Sequence, residues 1–551
     1  MQGTSSSAKT ATLAGLIAAA LAVVAPFSVR GVACGHDLVF HMNSWLEVAQ
    51  QWREGVVFPR WAPAANYLSG EPRFLFYPPL SWMLGGALGS FIPWLFVPVA
   101  FDFCIVVLAG WTMFITAREW LEPRDAGLIA VAYAVNPYLL LCIYARSSYG
   151  ELLASTFFPL LLLWIVRDRP ARNMLVPLAL TLAAVWLTNV PSALIATYWT
   201  VFLLALVTVL RRNSRVFLYG SGGLLLALAL AAFFIVPAVM ERSWISASQV
   251  LAPGVRPADN FLFATTADAR HDAFLRTVSW LALGEILVSA LAVFAARRWR
   301  QRNEKLWWAL VSSATLAFLL MLPVAAPVFR YLPNLQFVQF PWRCLLIIGL
   351  TYAVFVGTAL PWFRGKPWLY ALALLALIAG CNRGFQTQCD PAETPFMISN
   401  LYHTGYGYMG SDEYTPAGGD NYEIQPDFPE YRLRRDDGTP APDARVSQFH
   451  GSTYGKQLAV DSPEPVQLEL RLMNYPAWRV EVNGKRVTPQ SDDPTGRMVI
   501  ALPAGRSDVD VRFLRTRDQW IGDAISLVAV LVLVAVCFHH RDTETQRKKT
   551  F

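Results

Sequence analysis

The chain has 551 residues, of which 55% are hydrophobic and only 15% are charged. Soluble domains carry about 25% charged residues, so this composition excludes an ordinary soluble protein. The net charge of +7 does not indicate nucleic-acid binding, because the basic residues fall in short loops between apolar runs, where they set membrane topology.

Apolar runs of roughly 20 residues, long enough to cross a bilayer, recur along the chain. They predict about twelve spans, near residues 10–29, 93–117, 125–144, 152–166, 173–189, 191–210, 216–240, 276–296, 306–322, 343–362, 367–381 and 519–538. Basic loops alternate along the chain with short loops that together carry only one Arg. Because basic loops stay on the cytoplasmic side, this alternation predicts that both termini are cytoplasmic. The apolar piece 78–92 is too short to span, and we expect a partly inserted helix there.

The chain therefore divides into three parts. Residues 1–381 form the transmembrane domain, with a first outward loop at 30–92 that is rich in aromatic residues. Residues 382–518 form an outward, mostly β domain, because VQLELRLM, WRVEVNG, RMVIALP and DVDVRFL alternate with period two and Asn483-Gly484 is a hairpin signal. Residues 519–551 form the final transmembrane helix and a basic tail.

Two cysteines flank the start of the outward domain. Cys381 and Cys389 form a local disulfide if that region is extracytoplasmic, and otherwise stay free. Four others lie in or beside apolar runs and are typical of small core residues: Cys104, Cys142, Cys344 and Cys537.

The first loop begins with a helix whose ends we place at Asp37 and Gly55. Its apolar residues recur at three- and four-residue spacing, which predicts an amphipathic helix on the membrane surface. Asp37 at its start and His41 one turn on can face the same space. Asp37 is then a general base or a metal ligand with His36 and His41, or it is simply the helix N-cap.

Further charged and polar residues lie at predicted outward positions. Glu71 and Arg73 lie in the stretch GEPRFLFYPPL, where they either contact substrate or form a surface ion pair. Arg146 and Glu151 stand at a membrane face, where ionisable groups are costly and often functional. Arg343 is suited to phosphate, because its planar fork bonds two oxygens, or it anchors the interface. Asn189 also lies at an outward span end.

The motifs GHDLVFH, WREGVVFPRWAP, FYPPLSW, ARSSYGELLA and QFPWRCL resemble bacterial membrane proteins labelled 6-pyruvoyl-tetrahydropterin-synthase-related, a label that is not an activity. The layout also resembles the GT-C glycosyltransferase superfamily, which implies a bacterial inner-membrane location. By that resemblance Asp37 matches the first-loop catalytic acid, and Arg146 with Glu151 matches the second-loop charges. NYPAWRVEVNGKRVTP resembles the C-terminal β domain of YfhO-type proteins, with Ala477 where a Gly often precedes the Trp.

The resemblance implies an inverting glycosyltransferase that moves a sugar from a polyprenyl-phosphate carrier to a glycan or lipid acceptor. Asp37 would be the base, His41 and Glu71 would orient substrate, and Glu151 would position Arg146 or bind a divalent metal. No organic cofactor is expected. The substrate and phosphate contacts would be His36, Glu71, Arg73, Tyr77, Arg146, Asn189 and Arg343. The alternative is a non-catalytic transporter or assembly scaffold, although transporters usually place ionisable residues near the bilayer midplane.

Overall fold

The computed structural model describes residues 2–359 and 366–549, with side chains for 7–359 and 366–537. Within these residues, nine helices are long and apolar enough to cross a membrane. They are Ser7–Arg30, Trp94–Ala117, Pro123–Arg146, Tyr149–Val166, Val190–Arg211, Ala269–Ala295, Pro341–Ala359, Pro367–Phe385 and Arg517–Cys537. The chain is a multi-pass membrane protein. The predicted end of the 343–362 span and most of the basic turn after it fall at 360–365, outside the described residues.

Three of the twelve predicted spans are not among these nine helices. Ser214–Leu230 and Ala232–Met240 are bent by 69°, and Glu304–Leu320 and Pro323–Tyr331 by 86°. The second bend falls at Pro323, because a proline disfavours the helical conformation in the residue before it. Ala171–Trp186, predicted as the span 173–189, is a shorter apolar helix.

The last span supports the first bend. Near Ala231, the backbone N–H of Phe233 donates to Ser526 Oγ at 2.9 Å. Gly522 permits this close approach, because a Cβ there would lie 2.6 Å from the Ala232 carbonyl oxygen. The bend therefore has its freed backbone donor satisfied by a neighbouring helix, as a membrane interior requires.

The first loop folds into helices Leu38–Arg53 and Pro79–Phe91 with two short turns, Ala65–Leu68 and Arg73–Phe76, between them. The first of these, here called the first-loop helix, packs Trp45 against Gly85, where a Cβ would lie 2.2 Å from the indole ring. The 13-residue Pro79–Phe91 helix ends before Pro93, and the next span begins at Trp94. Partial insertion of this helix into the membrane stays a prediction.

The first-loop helix is not exposed, so its amphipathic pattern does not leave a polar face open to solvent. Its predicted position at the membrane surface stays a prediction. Most of its residues are buried on both faces. Glu47 accepts hydrogen bonds from the backbone of Ala64 at 2.7 Å and from Tyr408 at 3.1 Å. Gln51 accepts from Tyr454 at 2.8 Å. The first loop and residues 382–516 therefore cover one end of the spans, called here the loop side.

Nine strands between residues 431 and 513 form two antiparallel sheets around one apolar core. The four-stranded sheet has the order β1-β4-β8-β7 and the five-stranded sheet has the order β2-β3-β9-β5-β6. The strands are β1 Tyr431–Arg434, β2 Arg445–Ser452, β3 Gly455–Ser462, β4 Val466–Met473, β5 Trp478–Val482, β6 Lys485–Val487, β7 Gln490–Ser491, β8 Arg497–Leu502 and β9 Gly505–Phe513. Asn483 and Gly484 both have positive φ, which confirms the predicted hairpin turn between β5 and β6.

The disulfide joins Cys34 to Cys389, with a Cα–Cα distance of 4.7 Å. The alternative in which Cys381 pairs with Cys389 is wrong, because Cys381 is buried in the Pro367–Phe385 span as a free thiol. The observed bond ties the start of the first loop to the segment that follows that span.

Candidate active site

The backbone before the first-loop helix lies directly on the turn after the Pro123–Arg146 span. The N–H of Gly35 donates to Ser147 Oγ at 3.0 Å, and the N–H of Asp37 donates to the Arg146 carbonyl at 2.9 Å. A Cβ on Gly35 would lie 2.3 Å from the carbonyl carbon of Arg146, closer than two non-bonded carbons can approach. Glycine at position 35 is therefore what lets Asp37 stand beside Arg146.

The Asp37 side chain does not act as a helix cap. It begins the first-loop helix, but its carboxylate accepts no capping hydrogen bond from the described residues. Instead Oδ2 lies 3.7 Å from Nη2 of Arg146, and the side chain is 40% exposed. The carboxylate thus has one edge towards a guanidinium and another open to solvent, as a base for an incoming hydroxyl would need.

Behind this pair lies a buried ion cluster. Glu151 is 1% exposed and accepts from Arg146 at 2.5 Å and from Arg343 at 3.2 Å. The Tyr138 hydroxyl donates to its other oxygen. Two guanidiniums share this one buried carboxylate, and the half-exposed Asp37 carboxylate balances the second positive charge from the open side. The planar fork of a guanidinium can still bind two oxygens of an anion such as phosphate.

Aromatic rings hold the two guanidiniums in place. Arg146 lies over the ring of Trp342 at 4.9 Å, and Arg343 lies over Phe340 at 4.6 Å. The two rings are themselves stacked, with centroids 5.0 Å apart. Cation–π contacts of this kind fix the plane of each guanidinium and so the direction of its donors.

Three more of the predicted residues, Tyr77, Asn189 and His36, lie beside this group of charged side chains. A Cβ on Gly150 would lie 2.6 Å from the Tyr77 hydroxyl and 3.5 Å from Asn189 Nδ2, so both side chains border the residue next to Glu151. Burial raises the pKa of Tyr77, and the nearby Asp37 charge adds to that rise, so the phenol stays protonated as a donor. His36 is exposed, with its ring against Phe274.

The structure therefore gathers seven of the predicted residues at one end of the spans. They are His36, Asp37, Tyr77, Arg146, Glu151, Asn189 and Arg343, here called the Asp37 cluster. Asn189 also caps its own helix, because its Oδ1 accepts from the Ser192 N–H at 3.0 Å.

His41 lies away from the open edge of the cluster. The ring is 2% exposed and packs edge-on against Tyr149 at 5.3 Å. Burial, reinforced by the charges of Arg73 and Arg146, lowers the pKa of His41 to about 3. His41 is therefore neutral at physiological pH and packs with aromatic side chains.

Glu71 and Arg73 form a buried ion pair at 2.6 Å, with side chains 0% and 2% exposed, and not a surface pair. Arg73 also donates to Ser44 Oγ at 3.0 Å, and Glu71 accepts from the Ser411 backbone at 3.0 Å. The pair joins the first-loop helix to the segment before the strands.

The metal alternative for Asp37 gains no support. Within residues 2–359 and 366–549, no group of three or more His, Cys, Asp or Glu side chains is arranged to hold a metal ion. Two features were missed from the sequence, the Tyr138 hydroxyl on Glu151 and the stacked rings beside the arginines. The second had a signal, because aromatic residues flank Arg343 in QFPWRC.

No family model matches the sequence, and no curated protein matches it. The resemblances to 6-pyruvoyl-tetrahydropterin-synthase-related and YfhO-type proteins therefore remain predictions. Among solved structures the chain is similar to the arabinofuranosyltransferase AftD from mycobacteria, determined by single-particle cryo-electron microscopy. The TM-score is 0.40 with 13% identity, over 92% of this chain and 57% of the other, so this chain spans a little over half of that structure.

Proposed function

We propose that this protein is a membrane glycosyltransferase that transfers a sugar from a polyprenyl-phosphate carrier to a hydroxyl acceptor on the loop side. The observation that carries the proposal is the pairing of a half-exposed Asp37 with Arg146, 3.7 Å away, beside the buried contacts of Glu151 with Arg146 and Arg343. A base and a phosphate-binding charge are thus side by side at a span end, where a lipid phosphate would lie.

The chemistry follows from the two charges. Asp37 accepts the proton of the acceptor hydroxyl as its oxygen attacks the anomeric carbon of the sugar. The bond from that carbon to the phosphate oxygen breaks, and the leaving polyprenyl phosphate takes the electron pair. Arg146 and Arg343 stabilise the charge that grows on the phosphate. A single displacement of this kind inverts the configuration of the sugar.

The other predicted residues divide into two groups. Tyr77, Asn189 and His36 border the Asp37 cluster and are proposed contacts to sugar or acceptor. His41, Glu71 and Arg73 are buried away from its open edge, so we propose that they support the first loop and do not touch substrate.

A transporter or scaffold is the second candidate, and one observation favours it. Glu285 lies within the Ala269–Ala295 span, 2% exposed, and its carboxylate accepts no hydrogen bond from the described residues. Buried acids inside spans often mark ion or proton pathways. The enzyme proposal is favoured because Asp37, Arg146 and Arg343 meet in one cluster at a span end and do not face separate cavities.

Mass spectrometry of surface glycans and glycolipids can separate the two. A deletion strain is complemented with wild type, with Asp37→Asn or with Glu285→Gln, at matched membrane levels. The enzyme proposal expects the deletion product profile for Asp37→Asn and the wild-type profile for Glu285→Gln. Identical products in the deletion strain and the wild type would remove the enzyme proposal, and loss with Glu285→Gln alone would favour transport.

A further inference from the structure

A cavity of about 220 Å³ lies on the loop side, at the joint between the first loop, a bent span and the last span. It is lined by Phe58 and Arg60 of the first loop, by Phe234 and Pro237 after the 69° bend, and by Arg515 before the last span. Its volume far exceeds the roughly 10–15 Å³ that admits one water molecule. None of its described lining residues belongs to the Asp37 cluster.

The described lining has more positive than negative charge. Arg60 and Arg515 both face the cavity, and Asp523 pairs with Arg515 at 2.6 Å. Burial and the charge of Arg515 lower the pKa of Arg60, whereas the charges of Tyr454, Asp523 and Glu241 raise it. Glu241 also acts on Arg60, but it is buried and already accepts from Tyr475 at 2.6 Å. Among the described charged lining residues, Arg60 has no ion pair within the cavity comparable to that of Arg515 with Asp523, so the lining keeps one positive charge that an anion would balance.

The cavity adjoins the membrane-facing surface. Trp520 and Ile521, next to lining residues of the last span, are 58% and 51% exposed. Met240, three residues after Pro237, is 60% exposed. Large apolar side chains exposed on spanning helices face lipid chains. A lipid lying against this surface can place its headgroup in the cavity while its chains stay in the bilayer.

We propose that this cavity binds the phosphate group of a membrane lipid. The forked guanidiniums of Arg60 and Arg515 would donate to the phosphate oxygens, and the aromatic lining would contact the apolar carbons next to it. Such a lipid would join the first loop to the bent span and the last span. This site does not depend on the proposed glycosyl transfer.

Native mass spectrometry of the purified full-length chain tests the proposal. The protein is titrated with phosphatidic acid, with diacylglycerol of the same chains, and with inorganic phosphate as competitor. One phosphatidic acid should be retained, diacylglycerol should not, and millimolar phosphate should not displace the lipid. Arg60→Gln combined with Arg515→Gln should weaken phosphatidic acid binding about tenfold or more, whereas Lys at both positions should keep most of it.

The matched control is Arg242→Gln, an exposed arginine on the same side that does not line the cavity. Its binding should equal that of wild type. The proposal is overturned if diacylglycerol binds as well as phosphatidic acid, if the double Gln variant keeps wild-type affinity, or if free phosphate competes fully. A photoactivatable phosphatidic acid on wild-type protein, which needs no variant to fold, should label peptides from residues 58–60 or 515–523, and labelling elsewhere contradicts the site.

Discussion

Arg146 contacts two acids, Glu151 and Asp37, and the structure predicts that they contribute differently to the free energy of unfolding. Glu151 is 1% exposed and holds both Arg146 and Arg343. Glu151→Gln would remove the buried counter-charge of two guanidiniums and leave only the half-exposed Asp37 beside Arg146, at a cost of about 3–5 kcal/mol in the free energy of unfolding. Asp37 is 40% exposed and lies 3.7 Å from Arg146, so Asp37→Asn should cost no more than about 1 kcal/mol.

Equilibrium unfolding of the purified protein in mixed detergent micelles measures both changes and needs no known substrate. The matched control is Glu119→Gln, which removes a partly exposed acid 3.8 Å from Arg169 at another span end. It should behave like Asp37→Asn, because a half-exposed ion pair is screened by water.

Equal costs for Glu151→Gln and Asp37→Asn would show that the two acids do not differ in their contribution to stability. A large loss for Asp37→Asn would make Asp37 a structural partner of the cluster. A loss below about 1 kcal/mol for Glu151→Gln would mean that the arginines are hydrated and that no buried positive charge is held at the site.

Three further predictions follow from single contacts. Gly35→Ala should abolish product formation in the glycan assay, because its Cβ would lie 2.3 Å from the Arg146 backbone. The control Gly284→Ala should leave product formation unchanged, because no atom lies within 4 Å of a Cβ there. Peptide mapping without reductant should find Cys34 linked to Cys389, and a link to any other cysteine would be a contradiction. Burial raises the pKa of Glu47 from 4.5 to about 7, so the folded state binds its proton more tightly. The free energy of unfolding should therefore fall as pH rises from about 4.5 to about 7. Melting temperatures measured across this pH range should show the fall in wild type and a smaller fall in Glu47→Gln.

Much of the fold could be predicted because its signals are local. Apolar runs mark the spans, and period-two alternation marks β4 at residues 466–473 with the bounds that the structure has. The bend near Ala231 was not predicted, because it depends on Ser526 and Gly522, almost 300 residues away. The Cys34–Cys389 bond escaped prediction for the same reason, since its partners are 355 residues apart.

The sequence predicted that the candidate site residues lie on the same side of the membrane, but it did not predict which of them contact each other. Loop alternation put Asp37, Arg146 and Arg343 at the same face, and the structure brings them together through Glu151. The polar face of the first-loop helix was misread, because sequence periodicity cannot distinguish a face open to water from one buried against polar partners. Glu71, 0% exposed beside Arg73, is a second case.

The most direct test of the central claim uses purified protein in vesicles that contain the host's own pool of polyprenyl-phosphate-linked sugars and acceptor lipids. Liquid chromatography with mass spectrometry follows release of free polyprenyl phosphate. Wild type should release it together with a glycosylated acceptor of inverted anomeric configuration, and Asp37→Asn, folded to the same stability, should release at most about one hundredth as much. Wild-type release from folded Asp37→Asn protein would contradict the account.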